Sequence, residues 1–350
     1  MKWTGMKRTG QWSLISAAGL LALGFGGCGP SEEGLEPLAA VSPNTSSAAL
    51  TVYQQAAVDT ANTSQHCDTL GNFHWELGDG ATVHFSLSRG TGVGAFTEMP
   101  LASASKWLYA SAYLQSKGYA NLTPNEKRRL NFTSGYLEGI DATCGDPGTT
   151  VSACYGPSYK NVSYNASQEG KYYYDGGHMQ KLAADDIGIR SGTGFASVMD
   201  WVNKWLSTSL PESDNAVSVA GGFHGSAAHY RLFLQKLLNN QYAMSSQLVS
   251  DAVPAYAGGP GVAFTPWSSS QRAFYGLGHW LEREWLNGAW TLTGHSSPGK
   301  FGFYPWVDAG KTQYMILARS RVLLANNEGE KSRLCAHAIR RAYLTGVPEP

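Results

Sequence analysis

The chain has 350 residues, 43% hydrophobic and 15% charged, enough apolar length for one or two globular domains with a buried core. Its 26 basic and 26 acidic residues cancel, so no basic field points to nucleic acid as a partner. With 41 glycines and 12% aromatic residues, the composition favours a turn-rich, compact extracytoplasmic protein over a charged helical bundle, and leaves only the N-terminal region to disorder.

Lys2, Lys7 and Arg8 precede an apolar run from Ser13 to Phe25 that is too short to span a bilayer, the pattern of a signal peptide over residues 1–27. The run ends in Gly26-Gly27-Cys28, which resembles the lipobox of bacterial lipoproteins, with Phe25 where Leu is usual. That pattern makes Cys28 the lipidated first residue of an exported protein, held at the periplasmic or extracellular face of a cell-envelope membrane. The alternative is an ordinary secretory signal that leaves Cys28 a free thiol. Residues 28–55 read as a flexible tether rich in Ser, Pro, Ala and Glu, and 56–346 as the folded domain, with ordered structure starting near Thr51. Four cysteines remain, Cys67, Cys144, Cys154 and Cys335, an even number that suits disulfides in an oxidising compartment. A Cys144–Cys154 bridge would close a turn-rich loop, and Cys67–Cys335 would then tie the start of the domain to its last helix. Buried unpaired thiols are the alternative. There is no CxxC, and the spacing does not suit a metal site.

Phe73–Leu77 and Thr82–Leu87 read as strands either side of Gly78-Asp79-Gly80, a hairpin signal. From Ser103 to Lys117 apolar residues recur at helical spacing, and Gly118 supplies the stop. The stretch 120–285 mixes loops and helices, of which Gly194–Leu206 and Ser226–Leu238 are the clearest. Strands follow at Trp290–Thr293, Phe301–Val307 and Gln313–Ala318, then an amphipathic helix over Lys331–Tyr343. Strands at both ends with helices between them imply an α+β fold, an antiparallel sheet assembled from both termini with a helical insertion.

Ser103-Ala104-Ser105-Lys106 is an SxxK. On a helix, positions i and i+3 share a face, so a serine at the first turn has an amine beside it. Burial disfavours the ammonium, and a neutral amine can take the hydroxyl proton that a weak nucleophile must lose. The helix N-terminus favours a developing oxyanion. The spacing alone also fits an N-cap serine with a solvated lysine.

The surrounding segments carry more. MPLASASKWLYASAYLQSKG, around Ser103, resembles the nucleophile segment of serine β-lactamases, penicillin-binding carboxypeptidases and related esterases. Leu130–Tyr136 (LNFTSGY) is similar to the family's LLTHTSG, and Tyr174-Asp175-Gly176 falls on its YSN or YSG. Ala220–Leu238 resembles the GG..ST..D...F helix, and Tyr275-Gly276-Leu277-Gly278 the YGLGW. Gly294–Gly299 followed by FGFYPWVD resembles the final KTG or HTG strand. The segments share the family's order over about residues 70–345.

The resemblance implies a serine hydrolase with Ser103 as nucleophile and Lys106 as base, needing no cofactor or metal. It places Tyr174 as a second proton carrier, its phenolate favoured by Lys106 and His295, although three neighbouring tyrosines also suit plain core packing. His295 takes the place of the first Lys of KTG, as a donor to the tyrosine or to a substrate carboxylate. Ser296, Ser297 and Gly176 are the oxyanion and substrate-binding candidates. Gly176 lacks the amide of the usual Asn. The expected second oxyanion donor falls on Pro298, which has no N–H, so Ser297 is the preferred donor, with Gly299 as the alternative. Lys311-Thr312-Gln313 resembles KTG but lies in a turn beyond the expected strand. Partners are then a small-molecule, peptide or ester substrate and a membrane. The rival is a catalytically silent binding or sensing domain of the envelope.

Overall fold

The computed structural model describes residues 49–137, 144, 149–154, 164–186, 194–213, 216–324 and 327–350. The signal segment, Cys28 and most of the tether lie outside them. Residues Ala49 to Pro350 form a compact unit.

Seven helices carry the argument: α1 (Val52–Thr63), α2 (Ser105–Lys117), α3 (Pro124–Leu130), α4 (Gly177–Asp185), α5 (Gly194–Leu206), α6 (Ala227–Leu238) and α7 (Glu328–Thr345). Eight strands form the main sheet: β1 (Phe73–Gly78), β2 (Val83–Arg89), β3 (Val253–Pro254), β4 (Phe274–Tyr275), β5 (Trp280–Leu286), β6 (Ala289–Ser296), β7 (Tyr304–Asp308) and β8 (Tyr314–Ala318). Their order is β2-β1-β8-β7-β6-β5-β4-β3, antiparallel throughout. The first strand pairs with the last, Trp75 opposite Leu317, which closes a sheet from the two ends of the chain. The helices α2 to α6 are inserted between β2 and β3. The expected α+β architecture is what the chain adopts.

Helix α1 starts inside the expected tether. Thr51 accepts from the Gln54 N–H, and the Gln54 side chain accepts from the Thr51 N–H, a reciprocal cap that fixes the start. The strand β5 falls where loops and helices were expected. Its Glu282-Arg283-Glu284 run hides the strand pattern, while Asn287 and Gly288, both at positive φ, make the tight hairpin to β6. The strand expected over Phe301–Val307 starts only at Tyr304, and residues 299–302 lie ahead of it. They form a turn, with the Gly302 N–H on Gly299 O at 2.9 Å and Gly302 at φ 116°.

The sheet has a core on each face. On one side α2, with every residue from Ser105 to Leu114 buried, packs with α5 and α6 among Trp107, Tyr230 and Phe233. An all-round buried helix needs apolar or satisfied residues on every face, and Ser105 meets that need by accepting from the Phe223 N–H at 3.1 Å. On the other side α1 and α7 cover Trp75, Tyr304, Trp306 and Leu317. Cys67 and Cys335 are bridged on that side, and Cys144 and Cys154 are bridged 10 residues apart. Both expected pairs form. Among the described residues no helix is long and apolar enough to cross a membrane.

Candidate active site

The turn before α2 is held on three sides. The Leu101 N–H donates to Phe223 O at 2.9 Å, the Ala104 N–H to Leu101 O at 3.1 Å, and the Tyr230 hydroxyl to Ala104 O at 3.0 Å. Ala102 sits at φ 46°, a left-handed conformation that costs energy for a residue with a Cβ. The strained residue is adjacent to Ser103, and the surrounding bonds over-determine it. The first closed turn runs from Ala104 to Leu101, so the Ser103 N–H lies ahead of it. Behind the helix, Gly278 at φ 80° lets the chain approach closely. A Cβ there would stand 2.5 Å from Ala110 Cβ and 2.9 Å from Lys106 O.

Lys106 Nζ lies 2.9 Å from Ser103 Oγ and donates to Ala220 O at 2.6 Å. The side chain is buried, and burial draws its pKa from 10.5 down to about 8, against the opposing charge of Asp175. Its amine stands 5.2 Å from the centre of the Tyr174 ring. The structure thus brings Ser103, Lys106 and Tyr174 together. It does not favour the phenolate: burial raises the Tyr174 hydroxyl to about 12, with Ser103 and Trp280 pulling the other way. A phenol that keeps its proton can relay one but is a poor base at neutral pH.

His295 is corrected. It pairs in register with Val307, on the sheet face that carries α2, while Ser296 pairs with Trp306 on the other face. Directly opposed residues share a face, and neighbours along a strand alternate. His295 is accordingly buried beside His279, at 5.3 Å between rings, and is absent from the cleft lining. Its Nδ1 has no hydrogen-bond partner among the described residues, and burial holds its pKa well below 6.5, with His279 adding to the effect. Ser296 turns away from Ser103 altogether. Gly176 caps α4 with its backbone and does not line the cleft. Asp175, one position earlier, accepts from the Gly177 N–H at 2.9 Å.

Ser297 keeps a place at the site through a different atom. Its hydroxyl donates to Ser103 O at 2.9 Å, tying the end of β6 to the nucleophile turn. Its N–H is directed at Pro305 O, 3.4 Å away, and the Gly299 N–H donates to Phe303 O at 2.7 Å. Both candidate oxyanion donors are turned to residues 303–305, at the start of β7, which corrects the expectation for each. Lys311 stands in a turn at φ 55° and donates to Asn240 and to Ser245 O, as suits a residue outside the site.

Ser103 and Tyr174 open into a cleft of about 240 Å³. Its walls are Pro266, Trp267, Trp280 and Pro298, with Lys300 and the first turn of α7 across from them. Trp267 stacks on Trp280 at 5.0 Å and 29°, and Trp280 lies 5.0 Å from Tyr174. Of these wall residues only Pro298 stands out in the sequence, as the position of the expected oxyanion donor. Trp280 follows the YGLG segment directly, and that proximity was the available signal. Trp267 and the α7 turn have no local signature. Among the described residues no group of three or more His, Cys, Asp or Glu converges as metal ligands would.

No protein-family model matches the sequence, and no curated protein matches it. Solved structures do. A provisionally assigned β-lactamase of Bacteroides dorei superposes with a TM-score of 0.61 at 16% identity, covering 82% of this chain and 98% of that one. The octameric penicillin-binding protein homologue of Pyrococcus abyssi gives 0.58 at 12%, covering 85% and 77%. The D-amino acid amidase of Ochrobactrum anthropi, solved with D-phenylalanine, gives 0.55 at 12%, covering 83% and 100%. At these identities the likeness concerns the fold. The chain therefore has the fold of the β-lactamase and penicillin-binding-protein group of serine hydrolases.

Proposed function

We propose that this protein is a serine hydrolase that works through an acyl-enzyme at Ser103 on ester or amide substrates. The observation that carries the reading is the buried Lys106 amine, 2.9 Å from Ser103 Oγ, with its pKa drawn down to about 8. With one N–H fixed on Ala220 O, the lone pair of the neutral amine can face the hydroxyl. Lys106 takes the Ser103 proton as Oγ bonds to the substrate carbonyl carbon and the carbonyl π electrons move to oxygen. The Ser103 N–H and the positive end of α2 face that oxygen. Collapse breaks the bond to the leaving group, which receives the proton from Lys106 through the Tyr174 hydroxyl. Water then gives a proton to the same amine and attacks the acyl carbon, and collapse breaks the bond to Ser103 Oγ, which takes that proton back from Lys106 as the acid leaves.

The apolar walls of Trp267, Trp280, Pro266 and Pro298 suit an apolar or aromatic group on the substrate. Two disulfides favour an exported protein, and we place residues 1–27 as its signal and Cys28 as its lipid anchor, with a tether to the domain that extends to 346. Intact-protein mass spectrometry after exposure to a fluorophosphonate and to a mixed ester and β-lactam library tests the chemistry. Labelled wild type with unlabelled Ser103→Ala is the expected result. Label on neither protein, with p-nitrophenyl esters untouched, removes the reading in favour of a silent binding domain. Globomycin treatment with acyl-chain labelling tests the anchor; unchanged processing without label rules it out.

A further inference from the structure

The end of β6 presents its backbone to the nucleophile in a way that follows from strand alternation. The N–H groups of residues 297 and 299 point the same way, at Pro305 O in β7 and at Phe303 O just before it. The nitrogen of residue 298 therefore points the opposite way, and Pro298 lines the cleft with Ser103. The strand is pressed against the nucleophile turn. The Ser297 hydroxyl holds Ser103 O at 2.9 Å, and a Cβ on Gly299 would lie 2.3 Å from Leu101 O. The backbone nitrogen best placed to meet a carbonyl oxygen over Ser103 is thus that of residue 298. Proline puts no hydrogen on it.

We infer that Pro298 leaves the oxyanion hole of this site with one backbone donor, and that the substrates it turns over are activated esters rather than amides. The inference rests on the hydrolase reading above. Loss of one preorganised donor typically costs about 10²–10³ in kcat. Aryl esters and thioesters have electrophilic carbonyls and stable leaving groups, so they reach the tetrahedral intermediate with less help. Amides need both more oxyanion stabilisation and protonation of the departing nitrogen, and suffer most from the missing donor. Pro298 has a second neighbour that bears on the test. Its Cβ would stand 3.2 Å from a Cβ built on Gly329, in the first turn of α7, so alanine keeps the atom that packs there.

The experiment compares wild type, Pro298→Ala and Pro298→Ser on an aryl ester and the anilide of the same acid, with melting temperature and Ser103 acylation read on each. The expected result is ester-only turnover in wild type, with gains of about tenfold to a hundredfold in kcat and newly measurable anilide cleavage in the variants. Variants that melt with wild type and gain less than threefold overturn the inference. Wild type that cleaves the anilide within tenfold of the ester also overturns it, whether or not the variants fold. Absence of Ser103 acylation from every protein and both substrates defeats the hydrolase reading itself.

Discussion

If Lys106 is the base, acylation must follow its neutral fraction. With a pKa of about 8, roughly a tenth of the amine is free at pH 7, about 300 times the fraction of a lysine left at 10.5. Below pH 8 the rate should fall tenfold per pH unit, and above it should level off. The perturbation is Asp175→Asn. The Asp175 charge raises the Lys106 pKa, so the neutral amide must move the acid limb to lower pH and increase the rate at pH 6. Asn keeps an oxygen for the Gly177 N–H, so the start of α4 is preserved. Stopped-flow burst kinetics with a p-nitrophenyl ester from pH 5.5 to 9.5 read the limb directly. A flat profile in wild type, or a limb that stays put or moves upward in the variant, refutes the assignment. The same burial bears on stability. A fall from 10.5 to about 8 corresponds to roughly 3 kcal/mol at neutral pH. The folded pKa lies below the unfolded one, so this cost is complete below pH 8 and fades between pH 8 and 10.5. Lys106→Met should therefore be inactive yet more stable than wild type at pH 7, with the gain vanishing by pH 10.5. Denaturant titrations at the two pH values check it.

Gly278→Ala should destabilise by about 2–4 kcal/mol, because a positive φ and three contacts under 3 Å, to Ala110 Cβ, Lys106 O and Met179 Cε, leave the new Cβ no room. Thermal melting gives the stability, and an ester assay should show at least a tenfold loss as the lysine's own turn is pushed. Cys67→Ser opens a bridge that spans 268 residues and should cost about 2–4 kcal/mol in urea titrations. An unchanged midpoint under oxidising conditions contradicts that. Acid should unfold the protein through Glu282, where burial pushes the carboxyl up but His337 and Arg333 outweigh it and hold it at about 2. The folded pKa is depressed, so its contribution is present above the ordinary carboxylate range and is lost as pH falls toward 2. A melting temperature in Glu282→Gln that tracks wild type from pH 6 to 2.5 goes against this.

Local chemistry made much of this molecule legible from its sequence. The SxxK spacing put a hydroxyl and an amine on one helical turn, and strand patterns at the two termini implied a sheet closed by its ends. An even set of cysteines fitted two bridges. These are short-range rules, applied by the chain to itself. What failed was everything set by which face or which strand a residue meets. His295 fell on the α2 side of the sheet through the phase of one strand. Ser297 and Gly299 turned their N–H groups to β7 because the register with residues 303–305 decided it. The tryptophan walls came from segments with no signature of their own. The tyrosine kept its proton because burial, which no spacing reports, outweighed the pull of Ser103 and Trp280. Sequence determined the helix that carries Lys106 and the turn before it that carries Ser103, since neighbours in the chain suffice to build them. Only the tertiary structure decided how dry that amine is and where the surrounding N–H groups point, because desolvation and strand register are properties of residues far apart in the chain.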